Sequence, residues 1–98
     1  MPPTYERTNR FKIDYAKLTT AEQDRFRAKV IEQFIPAIET GEYPAGLRIK
    51  GVQGAPGVFE MSWAPDGRAT FEFGEERLPG QRHIVWRRIG GHEVFGSP

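Results

Sequence analysis

Cysteine is absent from the 98 residues, and histidine occurs only twice, as His83 and His92. The lack of thiols excludes disulfides and thiolate metal sites, and it suits a protein of the reducing cytoplasm. A zinc site built on two histidines would need carboxylate ligands, and no spacing in the sequence suggests such a set. We therefore expect no metal and no other cofactor.

Long apolar runs and an excess of one charge are also missing. No segment approaches the roughly 20 apolar residues of a membrane-spanning helix, and residues 1–7 lack the apolar stretch of a secretion signal. The 14 basic and 13 acidic residues leave a formal net charge of +1. Because nucleic-acid-binding proteins are often more basic, only the local placement of charge can support such a function. We expect a soluble, cytoplasmic protein with no membrane partner.

Enough apolar residues are present for one core. Hydrophobic residues make up 38% of the chain and aromatic residues 12%, and a chain of this length has room for a single core only. We predict one domain over residues 1–98, with residues 1–9 flexible.

The first third of the chain predicts a strand followed by a helix. Residues 10–15 alternate polar and apolar side chains, which is typical of a half-buried strand. Thr19 and Thr20 are followed three residues later by Glu22 and Gln23. This spacing offers two capping boxes, so a helix should begin here.

The predicted helix has one apolar side and one interruption. Its apolar residues fall on one half of the circumference: Phe26, Val30, Ile31, Phe34, Ile35 and Ile38. Pro36 removes one helical hydrogen bond, so we predict a kink or a break at residues 33–35. Gly41 should end the last turn.

Turn signals divide the second half into short strands. The predicted strands are residues 47–52, 58–63, 68–73 and 83–89. Residues 74–81 read as a longer polar loop, and the other connections are short enough for antiparallel pairing. The predicted fold class is α+β, with a strand and a kinked or split helix packed on a twisted, mainly antiparallel sheet of four to five strands.

Polar side chains collect on one face of these strands. Alternation places Glu60 and Arg68 opposite the apolar face of their strands, and Arg48 and Lys50 extend the polar face in the preceding strand. Paired strands would present these groups together. A solvated face carrying cross-strand ion pairs would explain the same pattern.

The last strand leads to a titratable group. An imidazole can give or accept a proton near neutral pH, so His92 is a candidate acid or base, although a surface histidine would fit the same position. Alternation sends Arg87 and Arg88 to opposite faces, so one of them should face a site. His83 reads as structural or simply exposed.

In their order, these segments resemble the RelE/ParE superfamily of bacterial type II toxins, especially the YafQ-like and RelE-like messenger-RNA interferases. The resemblance covers residues 10–96. It rests on the helix followed by Leu47-Arg48-Ile49-Lys50, Gly57-Val58-Phe59-Glu60-Met61, Asp66-Gly67-Arg68-Ala69-Thr70-Phe71 and Arg88-Ile89-Gly90-Gly91-His92-Glu93-Val94-Phe95.

The resemblance implies a RelE-like microbial RNase fold and cleavage of RNA without metal. The ribose 2′-OH attacks the neighbouring phosphate, which requires a proton acceptor, a proton donor and stabilisation of the phosphorane. On the matched positions, Arg68 would hold the phosphoryl oxygens, His92 would be general acid or base, and Glu60 would be the base or orient Arg68. The residues implied to bind RNA are Arg48, Lys50, Arg87, Arg88 and Phe95, the last by stacking on a base.

The resemblance also implies partners. They are a cognate antitoxin protein and messenger RNA, on the ribosome or away from it, with the toxin a monomer alone or a hetero-oligomer with its antitoxin. The antitoxin would cover the face of Arg48, Lys50 and Arg68 or displace the tail that carries His92. The alternative is a non-catalytic ParE-like toxin or interaction module that binds a protein target such as gyrase. An imidazole beside Arg68 favours the ribonuclease, since a protein-binding surface does not need a titratable group.

Overall fold

One mixed sheet runs through the molecule, which the computed structural model describes over residues 2–98. Its strands in chain order are β1 (Thr4–Arg7), β2 (Lys50–Gly51), β3 (Val58–Ser62), β4 (Arg68–Leu78) and β5 (Gln81–Gly90). Their order in space is β1-β5-β4-β3-β2. The β1–β5 pair is parallel and the other pairs are antiparallel. The predicted α+β class with a mainly antiparallel sheet is confirmed.

Three α-helices precede most of the sheet: α1 (Asn9–Ala16), α2 (Thr20–Lys29) and α3 (Ile35–Thr40). Thr19 caps α2 through the predicted capping box. Its hydroxyl accepts a hydrogen bond from the Glu22 N–H at 3.1 Å, and its own N–H donates to the Glu22 carboxylate at 2.9 Å. Both orphan donors at the start of the helix are thereby satisfied. Among residues 2–98, no helix has the length and apolar character needed to cross a membrane.

Pro36 disturbs the helix as predicted. The residues before it, Val30–Phe34, form a π-helical turn, in which the Ile35 N–H donates to the carbonyl of Val30. Because proline cannot donate and its ring crowds the preceding turn, the wider π turn lets the chain pass into α3 with Pro36 in its first turn. Gly41 then ends α3 in a left-handed conformation with φ of 78°.

Aromatic rings join the helices to one face of the sheet. Phe34 meets Phe71 of β4 edge-on, with centroids 5.0 Å apart, and lies 4.9 Å from Trp86 of β5. Phe26 packs edge-on against the same indole at 5.3 Å. Such pairs are each worth about 0.5–1.5 kcal/mol beyond the area they bury. The core therefore lies between the helices and the apolar face of β3, β4 and β5.

The first strand is not where the sequence predicted it. Residues 10–15 belong to α1, which begins because the Thr8 hydroxyl accepts from the Phe11 N–H, and Phe11 and Asp14 then face inward one turn apart. A stretch this short fits both the strand and the helix period. The strand is Thr4–Arg7, paired with β5, and it lies within residues 1–9, for which the sequence predicted a flexible segment. Met1 lies outside the described residues.

Two other boundaries differ from the prediction. Of residues 47–52, only Lys50–Gly51 form a strand, because Arg48 adopts a left-handed conformation (φ of 50°) that ends a short 3₁₀ turn. Residues 74–81 are not a loop. They complete a hairpin in which β4 and β5 continue beyond the core and are joined at Pro79 and Gly80. Both faces of that extension carry polar side chains, so its sequence lacks the alternation of polar and apolar residues that predicts a strand.

Candidate functional site

The sheet face turned away from the helices carries a row of polar residues. Cross-strand pairing aligns Lys50, Glu60, Thr70 and Arg88 on four neighbouring strands. Neighbours in such a row lie about 5 Å apart. The middle of the row is not solvated, because Glu60 is 9% exposed and Thr70 fully buried. Arg68, two residues from Thr70 on β4, shares this face with Glu60, as the alternation predicted.

Among the ion pairs within residues 2–98, Glu60 takes part in one. The Lys50 ammonium lies 3.9 Å from a Glu60 carboxylate oxygen, and the lysine side chain is 71% exposed. An ion pair with such an exposed partner is worth under about 1 kcal/mol. Within residues 2–98, the buried hydroxyls of Ser62 and Thr70 on the same face have no hydrogen-bond partner. Glu60 is therefore a carboxylate that is mostly removed from water but only weakly neutralised.

Arg68 holds the turn between β3 and β4. Its Nη1 donates to the carbonyl oxygens of Gly67 at 2.8 Å, Pro65 at 3.2 Å and Ala64 at 3.3 Å. The side chain is buried. The predicted phosphate contact would have to come from Nε and Nη2, which lie outside this interaction with the turn.

A β-bulge changes the direction of the two arginines on β5. Thr70 pairs with Arg88, but the next residue of β4, Phe71, pairs with Trp86, so Arg87 is an extra residue. Alternation therefore breaks at this point, and Trp86 and Ile89 both face the core. The prediction that Arg87 and Arg88 point to opposite faces is wrong, because both guanidinium groups lie on the polar side.

Arg88 is fixed by a carboxylate of α1. Its Nε donates to Oδ2 of Asp14 at 2.7 Å and its Nη2 to Oδ1 at 3.3 Å. The same Oδ2 accepts the N–H of Ile89 at 3.2 Å. Sequence analysis missed Asp14 because residues 10–15 read as a strand. A helical reading would have placed this carboxylate one turn after Phe11, on the buried side of α1.

Arg87 is held in a similar way. Its Nη1 donates to Oε2 of Glu72 on β4 at 3.2 Å. Its Nε and Nη2 donate to the main-chain oxygen of Pro98 at 3.2 Å and 3.1 Å. The Nη1 of Arg88 donates to the oxygen of the preceding residue, Ser97, at 3.0 Å. One short segment therefore contacts both arginines.

Two glycines let the chain fold back after β5. A Cβ atom at Gly90 would lie 3.2 Å from a methyl group of Val94, which is fully buried. The Gly91 N–H donates to the Glu93 carboxylate at 2.9 Å, and this bond holds the pKa of Glu93 below its usual value. The tight turn leads directly into the 3₁₀ segment His92–Gly96, which contacts β4 and β5.

His92 and Phe95 lie together in the 3₁₀ segment that follows β5. Their ring centroids are 5.9 Å apart, with planes inclined by 62°. His92 is exposed and Phe95 half-buried. The structure thus places Lys50, Glu60 and Arg88 in one row, whereas His92 and Phe95 lie beyond the end of β5. Arg48 lies in the turn before β2 and is outside the row.

A cleft of about 740 Å³ lies beside this end of the sheet. It is bordered by α1, α2, the β3–β4 turn and the Gly90–Gly91 turn, and Asp14 and Arg88 form part of its wall. Among residues 2–98, no three histidine or acidic side chains are grouped so as to hold a metal ion. Asp14 and Arg88, in the wall of this cleft, are both buried.

The second histidine belongs to a separate network. Buried His83 lies 2.8 Å from the Thr4 hydroxyl through Nδ1 and 2.8 Å from a Glu6 oxygen through Nε2. Arg77 donates to the same oxygen at 2.9 Å. The bond from His83, followed by the charge of Arg77, holds the pKa of Glu6 below its usual value. The network joins β1 to β5, so the structural reading of His83 is confirmed.

Comparison with known proteins identifies the fold. The sequence matches no protein-family model and no curated protein. Among solved structures, YafQ in the Escherichia coli DinJ–YafQ toxin–antitoxin complex is similar with a TM-score of 0.60 and 15% identity, over 96% of this chain and 97% of that one. The Methanococcus jannaschii RelB–RelE antitoxin–toxin complex gives a TM-score of 0.59 and 14% identity, over 92% and 93%. The YoeB/ParE toxin of Agrobacterium tumefaciens gives 0.66 and 11%, over 91% and 98%.

At identities this low, the structural similarity establishes the fold of the chain and not its activity. The similarity extends over nearly the whole of each chain, and all three proteins are toxins of the RelE/ParE type. The chain has the RelE/ParE-like toxin fold, as the order of its sequence segments predicted.

Proposed function

We propose that the chain is the toxin of a type II toxin–antitoxin pair and that it cleaves messenger RNA. The observation that supports this most is the placement, on a RelE-like fold, of a carboxylate and an arginine in one cross-strand row, with a histidine four residues beyond that arginine. Glu60 and Arg88 flank Thr70 in one row, and His92 follows the strand that carries Arg88. Cleavage of RNA through its own 2′-OH requires this set of groups.

The reaction begins when the ribose 2′-oxygen loses its proton and attacks the neighbouring phosphorus. Glu60 or His92 accepts that proton, and the other group or a water molecule protonates the departing 5′-oxygen. The bond from phosphorus to the 5′-oxygen breaks, which leaves a 2′,3′-cyclic phosphate and a 5′-OH. The reaction consumes no metal ion and no cofactor, and arginine N–H groups balance the negative charge of the phosphorane.

The three arginines differ in the contacts that orient them for binding a phosphate. Arg87 and Arg88 are oriented by Glu72 and Asp14 on the polar side of β5. Arg68 has Nε and Nη2 to offer, beside the turn that engages Nη1. We assign the phosphate contacts to these three side chains. Lys50 and Arg48 extend the basic path along the RNA backbone, and Phe95 stacks on a base next to His92.

The partner of this toxin is a cognate antitoxin protein. Two of the similar structures are themselves complexes, DinJ with YafQ and RelB with RelE, and the shared fold supports a similar assembly here. We propose that the antitoxin covers the polar face of Lys50 and Arg68 or displaces the segment that carries His92. When it is free of the antitoxin, the toxin acts in the cytoplasm, on messenger RNA with or without the ribosome.

A second candidate function is a toxin without nuclease activity that binds a protein target such as gyrase. The engagement of Arg68 Nη1 by three carbonyl oxygens favours it, because a side chain that holds a turn contributes less to a phosphorane. One of the similar structures is a YoeB/ParE toxin. The two candidates differ in whether RNA is cut.

Cleavage of messenger RNA by the purified protein, with and without ribosomes and in EDTA, tests the proposal. We compare the wild type with His92→Ala, Arg68→Lys and, as a matched surface control, Lys12→Ala in α1. Cuts that resist EDTA, end in cyclic phosphate and fall about 100-fold or more in His92→Ala support the nuclease, since a general acid or base contributes that much. Absence of cuts from folded protein that still arrests growth supports the protein-binding toxin.

A further inference from the structure

Each of the two arginines of β5 is hydrogen-bonded to a carboxylate. The Nε of Arg88 donates to Oδ2 of Asp14 at 2.7 Å, and the Nη1 of Arg87 donates to Oε2 of Glu72 at 3.2 Å. Two hydrogen bonds to Asp14 fix the plane of the Arg88 guanidinium, whereas Arg87 has a single bond to Glu72. The β-bulge turns both groups to the same side of the sheet. Together they form an oriented pair, which we name the arginine pair.

Further N–H groups of the arginine pair donate to main-chain oxygens of two consecutive residues. Ser97 accepts from Nη1 of Arg88 at 3.0 Å, and Pro98 accepts from Nε and Nη2 of Arg87 at 3.2 Å and 3.1 Å. A phosphate group also presents neighbouring oxygen atoms that can accept hydrogen bonds from guanidinium groups. A phosphate carries a full negative charge, so it is a stronger acceptor than the carbonyl oxygen of Ser97.

We propose that residues 97–98 are an internal competitor, which occupies the arginine pair in place of an RNA phosphate and must leave before RNA binds there. This inference rests on the proposed function, since it takes the RNA phosphodiester as the ligand. The chain with the segment in place does not bind RNA at this pair. Its apparent Kd is the intrinsic Kd divided by the fraction of molecules in which the segment has left.

The movement that this requires is small. Val94 is fully buried and anchors the 3₁₀ segment, and the Ser97 N–H donates to its carbonyl oxygen at 3.3 Å. Ser97 itself is exposed. Only the residues beyond the anchor have to swing away, so His92 and Phe95 keep their places at the end of the sheet while the arginines are exchanged.

Ser97 offers a matched pair of variants. Its φ is −148°, whereas proline holds φ near −65° and has no N–H to donate to Val94. Ser97→Pro therefore redirects the segment away from the arginines. Ser97→Ala keeps the backbone conformation and the N–H, and it removes only a hydroxyl.

Fluorescence anisotropy with a short, labelled 2′-O-methyl oligoribonucleotide tests the inference, because this probe binds but cannot be cut. We expect Ser97→Pro to bind about tenfold more tightly than the wild type if the segment occupies the pair in about nine molecules of ten. Ser97→Ala should bind like the wild type. The gain should disappear when Arg87→Gln is added to Ser97→Pro. The melting temperature of each variant shows whether it is folded.

Equal or weaker binding by folded Ser97→Pro overturns the inference, as does a gain that persists without Arg87. Absence of binding by every variant overturns it too, because arginines released from the segment must then hold phosphate. Cleavage of unmodified RNA is measured on the same proteins. Tighter binding of the probe by Ser97→Pro without cleavage of RNA by any variant would contradict the proposed nuclease activity and support the proposal that residues 97–98 compete with RNA.

Discussion

Asp14 and Arg88 form a buried ion pair across 74 residues of sequence, with Nε and Oδ2 2.7 Å apart. The aspartate also accepts the N–H of Ile89 at 3.2 Å, a donor that lies just past the bulge. One carboxylate therefore joins α1 to β5 and orients a guanidinium of the candidate site. Its loss leaves a buried cation and a main-chain N–H without their acceptor.

We expect Asp14→Ala to lower the free energy of unfolding by about 3–5 kcal/mol, the usual cost of leaving one partner of a buried pair uncompensated. Asp24, which forms an exposed pair with Arg27 on α2, is the matched control. Asp24→Ala should cost under about 1 kcal/mol. Urea denaturation of both variants measures the difference, and equal losses would show that Asp14 has no special role in stability.

The start of α2 offers a test within two adjacent threonines. Thr19→Ala removes the hydroxyl that accepts the Glu22 N–H, and we expect it to destabilise the protein by about 1 kcal/mol. Thr20→Ala is the control, because Thr20 is already inside the helix. Thermal unfolding of the two variants decides the matter. A larger loss for Thr20→Ala would contradict the assigned helix start.

The network of Glu6 and His83 predicts a dependence of stability on pH. The pKa of Glu6 in the folded protein lies below its ordinary value of 4.5, so the folded state favours the charged carboxylate. This contribution is complete above pH 4.5 and is lost as the pH falls through the lowered folded pKa. In Glu6→Gln it is absent at every pH.

Urea unfolding of the wild type and Glu6→Gln at neutral pH and in acid measures this effect. The wild type should be the more stable protein at neutral pH, and its advantage should shrink as the pH drops below 4.5. An advantage that grows in acid would reverse the sign of the effect and reject the assignment.

His92 should separate activity from stability. The side chain is exposed and contacts the ring of Phe95, so His92→Ala should change the free energy of unfolding by no more than about 0.5 kcal/mol. Growth arrest on induction should nevertheless disappear if the imidazole transfers a proton. Arrest by His92→Ala at wild-type expression would assign toxicity to another part of the surface.

The regular parts of the fold could be predicted from local chemistry. A capping box at Thr19, a proline within a helical pattern and a glycine at the helix end each have one strongly favoured structure, and all three are present. The division of β3 and β4 into a polar and an apolar face also follows directly from alternation. These features depend on neighbours in sequence.

Long-range features could not be predicted in this way. The identity of β1 depends on a partner strand 79 residues away, and the six residues that follow Asn9 satisfy two periodicities. The bulge at Arg87 is invisible to alternation, since an extra residue appears only when two strands are aligned. The site residue that was missed, Asp14, and the directions of Arg87 and Arg88 both follow from these two features.

The parallel pairing of β1 with β5 has a consequence for biosynthesis. Thr4–Arg7 are translated 79 residues before their register partners His83–Trp86. Contacts so distant in sequence slow folding, and the helices meanwhile expose Phe26 and Phe34 without the sheet that covers them. The sheet of the nascent chain is incomplete until β5 has left the ribosome. A binding partner already present in the cell can therefore bind the chain before its sheet is complete.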